Sequence, residues 1–166
     1  RDAELETNKN IKLHLAEMPL PNGILRVDQN ASTEATALRL GHYALPNLTG
    51  TIKRTTRKVK GHAVHLLDNG TYQLALVSLS GLSQVEAVDA TGLHPAAKAS
   101  TVLNALGTTA PAAQPTLYAT LLLWKKSGAP FTDAELLPVQ QVLPTAGGAT
   151  LTMANGNRKQ LKYKEQ

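Results

Sequence analysis

The stretch that most constrains the fold is HAVHLLDNGTYQLALV, residues 62–77. Two apolar runs flank Asn69-Gly70, a dipeptide that accepts φ > 0 at both central positions of a type I′ turn, whose twist matches paired antiparallel strands. Counting outward predicts Leu67 opposite Tyr72, His65 opposite Leu74 and Ala63 opposite Leu76, with Val64, Leu66, Gln73, Ala75 and Val77 on the other face. Both faces are largely apolar, so the hairpin is expected centrally in a sheet covered on both sides.

The rest of the chain reads mostly as strands. In NIKLHLAEM, Ile11, Leu13 and Leu15 alternate with Lys12, His14 and Ala16, which predicts a strand burying the odd residues. Asn22-Gly23 is expected to turn it into ILRVDQ, with Leu25 and Val27 on one side and Arg26 and Asp28 on the other. ATALRLGHYAL, SQVEAVDATG and TLYATLLLW read as further strands, and Gly147-Gly148 as a turn between strands. GATLTMANGNRKQLKYKEQ reads as a terminal hairpin turning at Asn155-Gly156, ending in a basic, mobile tail over 158–166. One helix is expected near 95–106, where Pro95 suits a first turn, Ala99, Val102, Leu103 and Leu106 recur at helical spacing, and Gly107 closes the end. Thr132 and Glu135 have capping-box spacing, but Pro138 limits a helix there to about one turn. The pattern is that of an all-β protein, mainly an antiparallel sandwich or barrel, in a single domain over 1–166.

Charge is concentrated in one place. Seventeen Lys and Arg oppose twelve Asp and Glu, and Lys53, Arg54, Arg57, Lys58 and Lys60 account for the whole net charge of +5. On a strand, Lys53, Thr55, Arg57 and Val59 share one face and Ile52, Arg54, Thr56, Lys58 and Lys60 the other, so neither enters an apolar core. A projecting basic β-arm over 52–60 is the expectation. Arg158, Lys159, Lys162 and Lys164 form a second basic element that could join the same surface. From Gly61 to Asn157, 97 residues carry only eight formal charges. A neighbouring subunit covers such a surface without stranding ions.

Several chemistries are excluded or poorly supported. With no cysteine, thiolate zinc sites, iron–sulfur clusters and thiol nucleophiles are ruled out. His62 and His65 are three apart, and on a strand odd spacing sends them to opposite faces, so no metal pair is expected. His14, His42 and His94 carry no spacing signal. No Gly-x-Ser-x-Gly elbow or phosphate-binding glycine loop is present, and Asp133 and Glu135 suit a helix start better than acid–base work. No cofactor is implied. LYATLLLW, ended by Lys125 and Lys126, falls far short of the ~20 residues of a spanning helix. The sequons at Asn30, Asn47 and Asn69 read as chance matches in a Ser/Thr-rich chain. The chain starts at Arg1, compatible with removal of an upstream segment.

The expectation is a non-enzymatic structural or interaction subunit of a larger assembly, such as a virus or phage particle or a surface filament, self-associating or meeting other subunits through the basic elements. An extracellular or particle-associated location accords with it. The alternative is a nucleic-acid-binding domain. No aromatic lies between Tyr43 and Tyr72 to stack beside the cations, so that mode is expected to be backbone-directed and insensitive to sequence. An enzyme of unidentified class is the third reading.

Overall fold

The computed structural model describes residues 11–32, 36–45, 51–80, 82–89, 101–110 and 116–163, with side chains over 15–29, 51–80 and 116–163. The runs flanking Asn69-Gly70 pair as antiparallel strands β5 (His62–Asp68) and β6 (Tyr72–Ser80). Their register differs by two residues from the expectation, with His65 opposite Leu76 and Leu67 opposite Leu74. Two residues is one full strand period, so every side chain keeps its expected face.

The shift has a local cause. Gly70 has φ +85°, but Asn69 does not share the left-handed region. Instead the Asn69 Oδ1 accepts the N–H groups of Thr71 (3.0 Å) and Tyr72 (2.8 Å), and Asp68 Oδ1 accepts that of Gly70 (2.7 Å). These side chains capture donors that the ladder would otherwise use and widen the loop. Lys60-Gly61 takes the type I′ conformation instead. With φ of 47° and 87°, it joins β4 (Lys53–Val59) to β5, setting Val59 opposite His62.

The remaining strands are β1 (Ile11–Leu20), β2 (Gly23–Ser32), β3 (Thr36–Leu45), β7 (Leu82–Asp89), β8 (Thr101–Ala110), β9 (Thr116–Lys126), β10 (Val139–Thr145), β11 (Gly148–Met153) and β12 (Arg158–Lys162). A large sheet of six strands runs β1-β2-β9-β6-β5-β4, a small sheet runs β10-β11-β12, and a third sheet runs β3-β8-β7. All pairings are antiparallel. The protein is therefore mostly antiparallel β, in the manner of a sandwich.

Three expectations need correction. Thr101–Ala110, which takes in the second half of the stretch read as a helix, is the central strand of the third sheet, paired on both sides. Two ladders outweigh its apolar spacing, and Thr101, Val102, Thr108 and Thr109 suit a strand. Residues 95–100 lie outside those described. The helix among the described residues, α1 (Asp133–Leu136), is the single turn between Thr132 and Pro138. Second, the buried side of β1 has the opposite parity near its end. Ala16 is buried and Met18 and Leu20 pack on the core, because β1 places Ala16 opposite Val27 and Met18 opposite Leu25. The β1–β2 turn sits at Pro21-Asn22, one residue earlier than expected. Third, residues 53–59 do not project. They pair with β5 along their whole length as the edge strand of the large sheet.

One core fills the space between the large sheet and the small sheet with α1. Leu25, Val27, Val64, Ala75, Val77, Ala119 and Leu121 meet Leu136, Leu137, Val139, Val142, Ala149 and Leu151. Val139 and Val142, an odd interval apart, both reach it because the register shifts between Val139 and Gln141. On the opposite, outer face of the large sheet, Leu67, Leu74, Leu76, Tyr118 and Thr120 are also buried, as is Asp28, which holds Arg26 at 2.8 Å. The expected central, two-sided burial of the hairpin is thus met at residues 74–77 of β6. The Asn155-Gly156 turn forms as expected, with φ +82° at Gly156, and the turn before Gly148 sits at Ala146-Gly147, one residue earlier than expected.

Candidate functional site

β4 is built to be an edge. Thr55, Thr56 and Val59 favour extended backbone, the Lys60-Gly61 turn fixes the register, and Val59 alone of the strand is buried. Among the described strands none pairs with its outer side. Pairing with β5 sets Arg57 opposite Val64, a core residue, so Lys53, Thr55 and Arg57 point to the core side and Arg54, Thr56 and Lys58 to the outer face. The ribbon's cations are divided between two environments, with Lys60 at the turn.

On the core side the cations meet acids. Arg57 Nη1 donates to Asp133 Oδ1 at 3.0 Å and Nη2 to the Phe131 carbonyl at 2.9 Å. Lys125 Nζ bonds Glu135 at 3.0 Å and the Pro130 carbonyl at 3.0 Å, and stands 4.7 Å from the centre of the Phe131 ring. Thr132 and Glu135 close a capping box, Glu135 Oε2 taking the Thr132 N–H and Thr132 Oγ1 the Glu135 N–H. The backbone N–H of Thr132 and then Lys125 hold the Glu135 carboxyl below its ordinary value. Both acids near the cap thus fasten α1 to β4 and β9.

Between this segment and the sheet edge lies a cleft of about 450 Å³, lined by Lys53, Thr55 and Arg57 of β4, Leu66 of β5, and Pro130 and Phe131. Asp68 closes one end. It accepts from the Gly70 N–H, from Ser127 Oγ at 2.8 Å and from Gln73 at 3.2 Å. The Gly70 N–H first, then the Ser127 hydroxyl, lower its pKa against a smaller opposing effect of burial. The cleft is apolar at its floor and charged at its rim, suiting it to an extended peptide segment.

The outer face carries what the sequence did not reveal. Arg54, Lys58 and Lys126 make no ion pair among the described residues. Register puts Leu67, Leu74 and Trp124 in line with Arg54, and Tyr72 opposite Lys126. Trp124 is 47% exposed and Tyr72 39%. These aromatics lie 18 and 70 residues along the chain from Arg54, and only the strand order β9-β6-β5-β4 brings them to its face. The alternation within LLLWKK was legible, but not which strand would lie beside it.

The other candidates separate. Arg158, Lys159 and Lys162 are exposed on β12, built into the small sheet and adjoining β1, whereas β4 is at the opposite edge of the large sheet. The two basic elements therefore do not form one surface, and Lys164 lies outside the described residues. His62 and His65 occupy opposite faces of β5. The first has Nδ1 3.2 Å from the Ser78 carbonyl, and burial lowers the pKa of the second. No group of metal-ligating side chains forms among the described residues. No described helix is long and apolar enough to cross a membrane. Asn69 of the third sequon is engaged in its turn. No protein-family model, curated protein or solved structure matches this chain.

Proposed function

We propose that the protein is a non-enzymatic interaction subunit of a larger assembly, docking edge-on through β4. The observation that carries this reading is the open outer side of β4, a seven-residue strand exposed at every position but Val59. The N–H and C=O groups on that side, unpaired by any described strand, are a template for an added strand, and its cations select which strand. Two copies of β4 would set like charges opposite one another and repel. A second copy offers a better edge in β7, an eight-residue outer strand of the third sheet that carries Glu86 and Asp89 and no Lys or Arg. Contact of β4 with β7 is head-to-tail, the arrangement that gives rings or filaments. The weakly charged body supports the same reading, since few ions need desolvating where subunits meet.

Size-exclusion chromatography with light scattering tests it. The parent should assemble at low salt, and replacing Lys53, Arg54, Arg57, Lys58 and Lys60 by Gln should leave folded monomer. Arg54→Glu/Lys58→Glu and Glu86→Lys/Asp89→Lys should each stay monomeric alone and associate when mixed. A parent that is monomeric at high concentration, or a neutralised variant that assembles normally, refutes docking through β4. Assembly that survives the Glu86 and Asp89 changes but not the β4 changes replaces β7 by an acidic edge of another protein.

A further inference from the structure

A second surface, centred on β6 and β9, shares Arg54 and Lys58 with β4 but adds residues that the docking edge does not use. Tyr72 and Trp124 are on adjacent strands β6 and β9, on the same face and offset by one strand period. They are diagonal neighbours, ~7–8 Å apart at the backbone, within reach of one another's rings. Lys126 stands opposite Tyr72, and Arg54 ends the cross-strand row that starts at Trp124. Three strand spacings make that row ~14 Å wide. Lys58 follows Arg54 on the same face, and Leu67 and Leu74 within the row are buried.

The charge on this face is one-sided. Its acids among the residues with described side chains are Glu17, on the far edge strand, and Asp28, held by Arg26. Asp68, Asp133 and Glu135 belong to the core side, where they meet Gly70, Ser127, Arg57 and Lys125. Two open aromatic rings beside cations with no carboxylate partner among the described residues suit a ligand that repeats a flat apolar group and a negative charge at intervals of several ångströms. A neutral sugar chain also needs acceptors for its hydroxyls, which charged donors do not supply. A duplex hides its bases and would use the cations alone.

We propose that this face binds single-stranded nucleic acid, with successive bases stacked on Tyr72 and Trp124 and phosphates met by Lys126, Arg54 and Lys58. The absence of aromatics within the basic ribbon had pointed to backbone contact only. Folding supplies the stacking groups from β6 and β9.

Trp124 is the single tryptophan of the chain, so its emission reports on the site directly. Titration with a 15-nucleotide oligo-dT should quench it, and log affinity should fall with log salt at a slope of about −2, roughly 0.7 for each of the phosphate contacts. By anisotropy of labelled oligo-dT, Trp124→Ser should weaken binding about 5- to 100-fold, Tyr72→Ser should weaken it similarly, and Trp124→Phe should retain most of the affinity. Lys126→Gln should reduce the salt slope by about 0.7. These three residues lie outside β4, so oligonucleotide binding and assembly can fail separately. Heparin supplies the charge without the bases. Equal binding of heparin, together with an unchanged oligo-dT affinity in Trp124→Ser, would reduce the site to a cationic patch and overturn the proposal. So would oligo-dT saturation that leaves Trp124 emission unaltered. Melting curves of each variant separate lost binding from lost fold, and Trp124→Phe and Lys126→Gln decide the matter if the serine variants unfold.

Discussion

The Lys60-Gly61 turn gives the sharpest test of the register that divides the cations. At Gly61, φ is +87° and an added Cβ would meet nothing within 4 Å. Gly61→Ala therefore carries no clash. Its cost is the left-handed backbone alone, about 1–2 kcal/mol for an L-residue, offset by about 0.4–1 kcal/mol from the reduced freedom of the unfolded chain. The expected net loss is about 1 kcal/mol, or roughly 2–4 °C in Tm for a domain of this size. Lys60, at φ 47°, already bears such a cost. Lys60→Asn should recover part of it, stabilising by about 0.5 kcal/mol, since Asn tolerates this region better. Urea denaturation of both variants, with unchanged m, measures the pair. If Gly61→Ala is neutral and Lys60→Asn destabilises, the turn is not type I′. The two-residue connection that sends Arg57 inward and Arg54 outward would then be wrong.

Three further outcomes follow from local geometry. Gly70, also left-handed at φ +85° with open space around it, should lose about 1–2 kcal/mol on replacement by Val, read from its melting curve. Thr132→Ala removes one half of the capping box and should cost about 1 kcal/mol in chemical denaturation. Asp68 has a folded pKa below its unfolded value, so its stabilisation is present above about pH 4 and is lost as pH falls through the folded pKa. Asp28, raised by burial against the opposing Arg26, acts in reverse and favours folding as it protonates. Tm measured from pH 6 to pH 3 should therefore fall less steeply in Asp68→Asn than in the parent.

Local chemistry was readable at several places where one segment decided the outcome. The capping box at Thr132, the stop at Pro138 and the turn at Asn155-Gly156 need only neighbouring residues, and each forms as expected. The faces of the β5–β6 hairpin were legible through a wrong register, because a shift of two preserves parity. The Asn69-Gly70 turn failed for a local reason, the capture of backbone donors by the Asp68 and Asn69 side chains, and the other failures depended on partners elsewhere in the chain. Helical spacing at 102–106 gives way to strand pairing on both sides. The inward parity of Ala16 follows from Val27 across the ladder, not from its own neighbours. The basic ribbon was expected to project because neither face is apolar, yet an edge strand needs no apolar outer side when its backbone is paired and Val59 anchors one end. The site proposed on the outer face was the least legible part, since Trp124 and Arg54 come onto one face only through the strand order.

Arg54 and Arg57 differ by three residues and, by parity, in everything that follows. Arg57 bonds Asp133 and the Phe131 carbonyl, so Arg57→Gln should loosen α1 against the sheet edge. The loss should be small, at most about 1 kcal/mol, because the two side chains of the pair are 40% and 60% exposed and water screens them. Oligonucleotide affinity should hardly change, since the guanidinium is on the wrong side of the sheet. Arg54 has no ion pair to lose among the described residues. Arg54→Gln should therefore leave the denaturation midpoint unchanged while lowering the salt slope of oligo-dT binding by about 0.7. The comparison holds charge and residue type constant and varies only the face. Equal effects of the two substitutions on binding would mean that the cations act as one undivided cloud, and the separate roles assigned to the two faces of β4 would have to be abandoned.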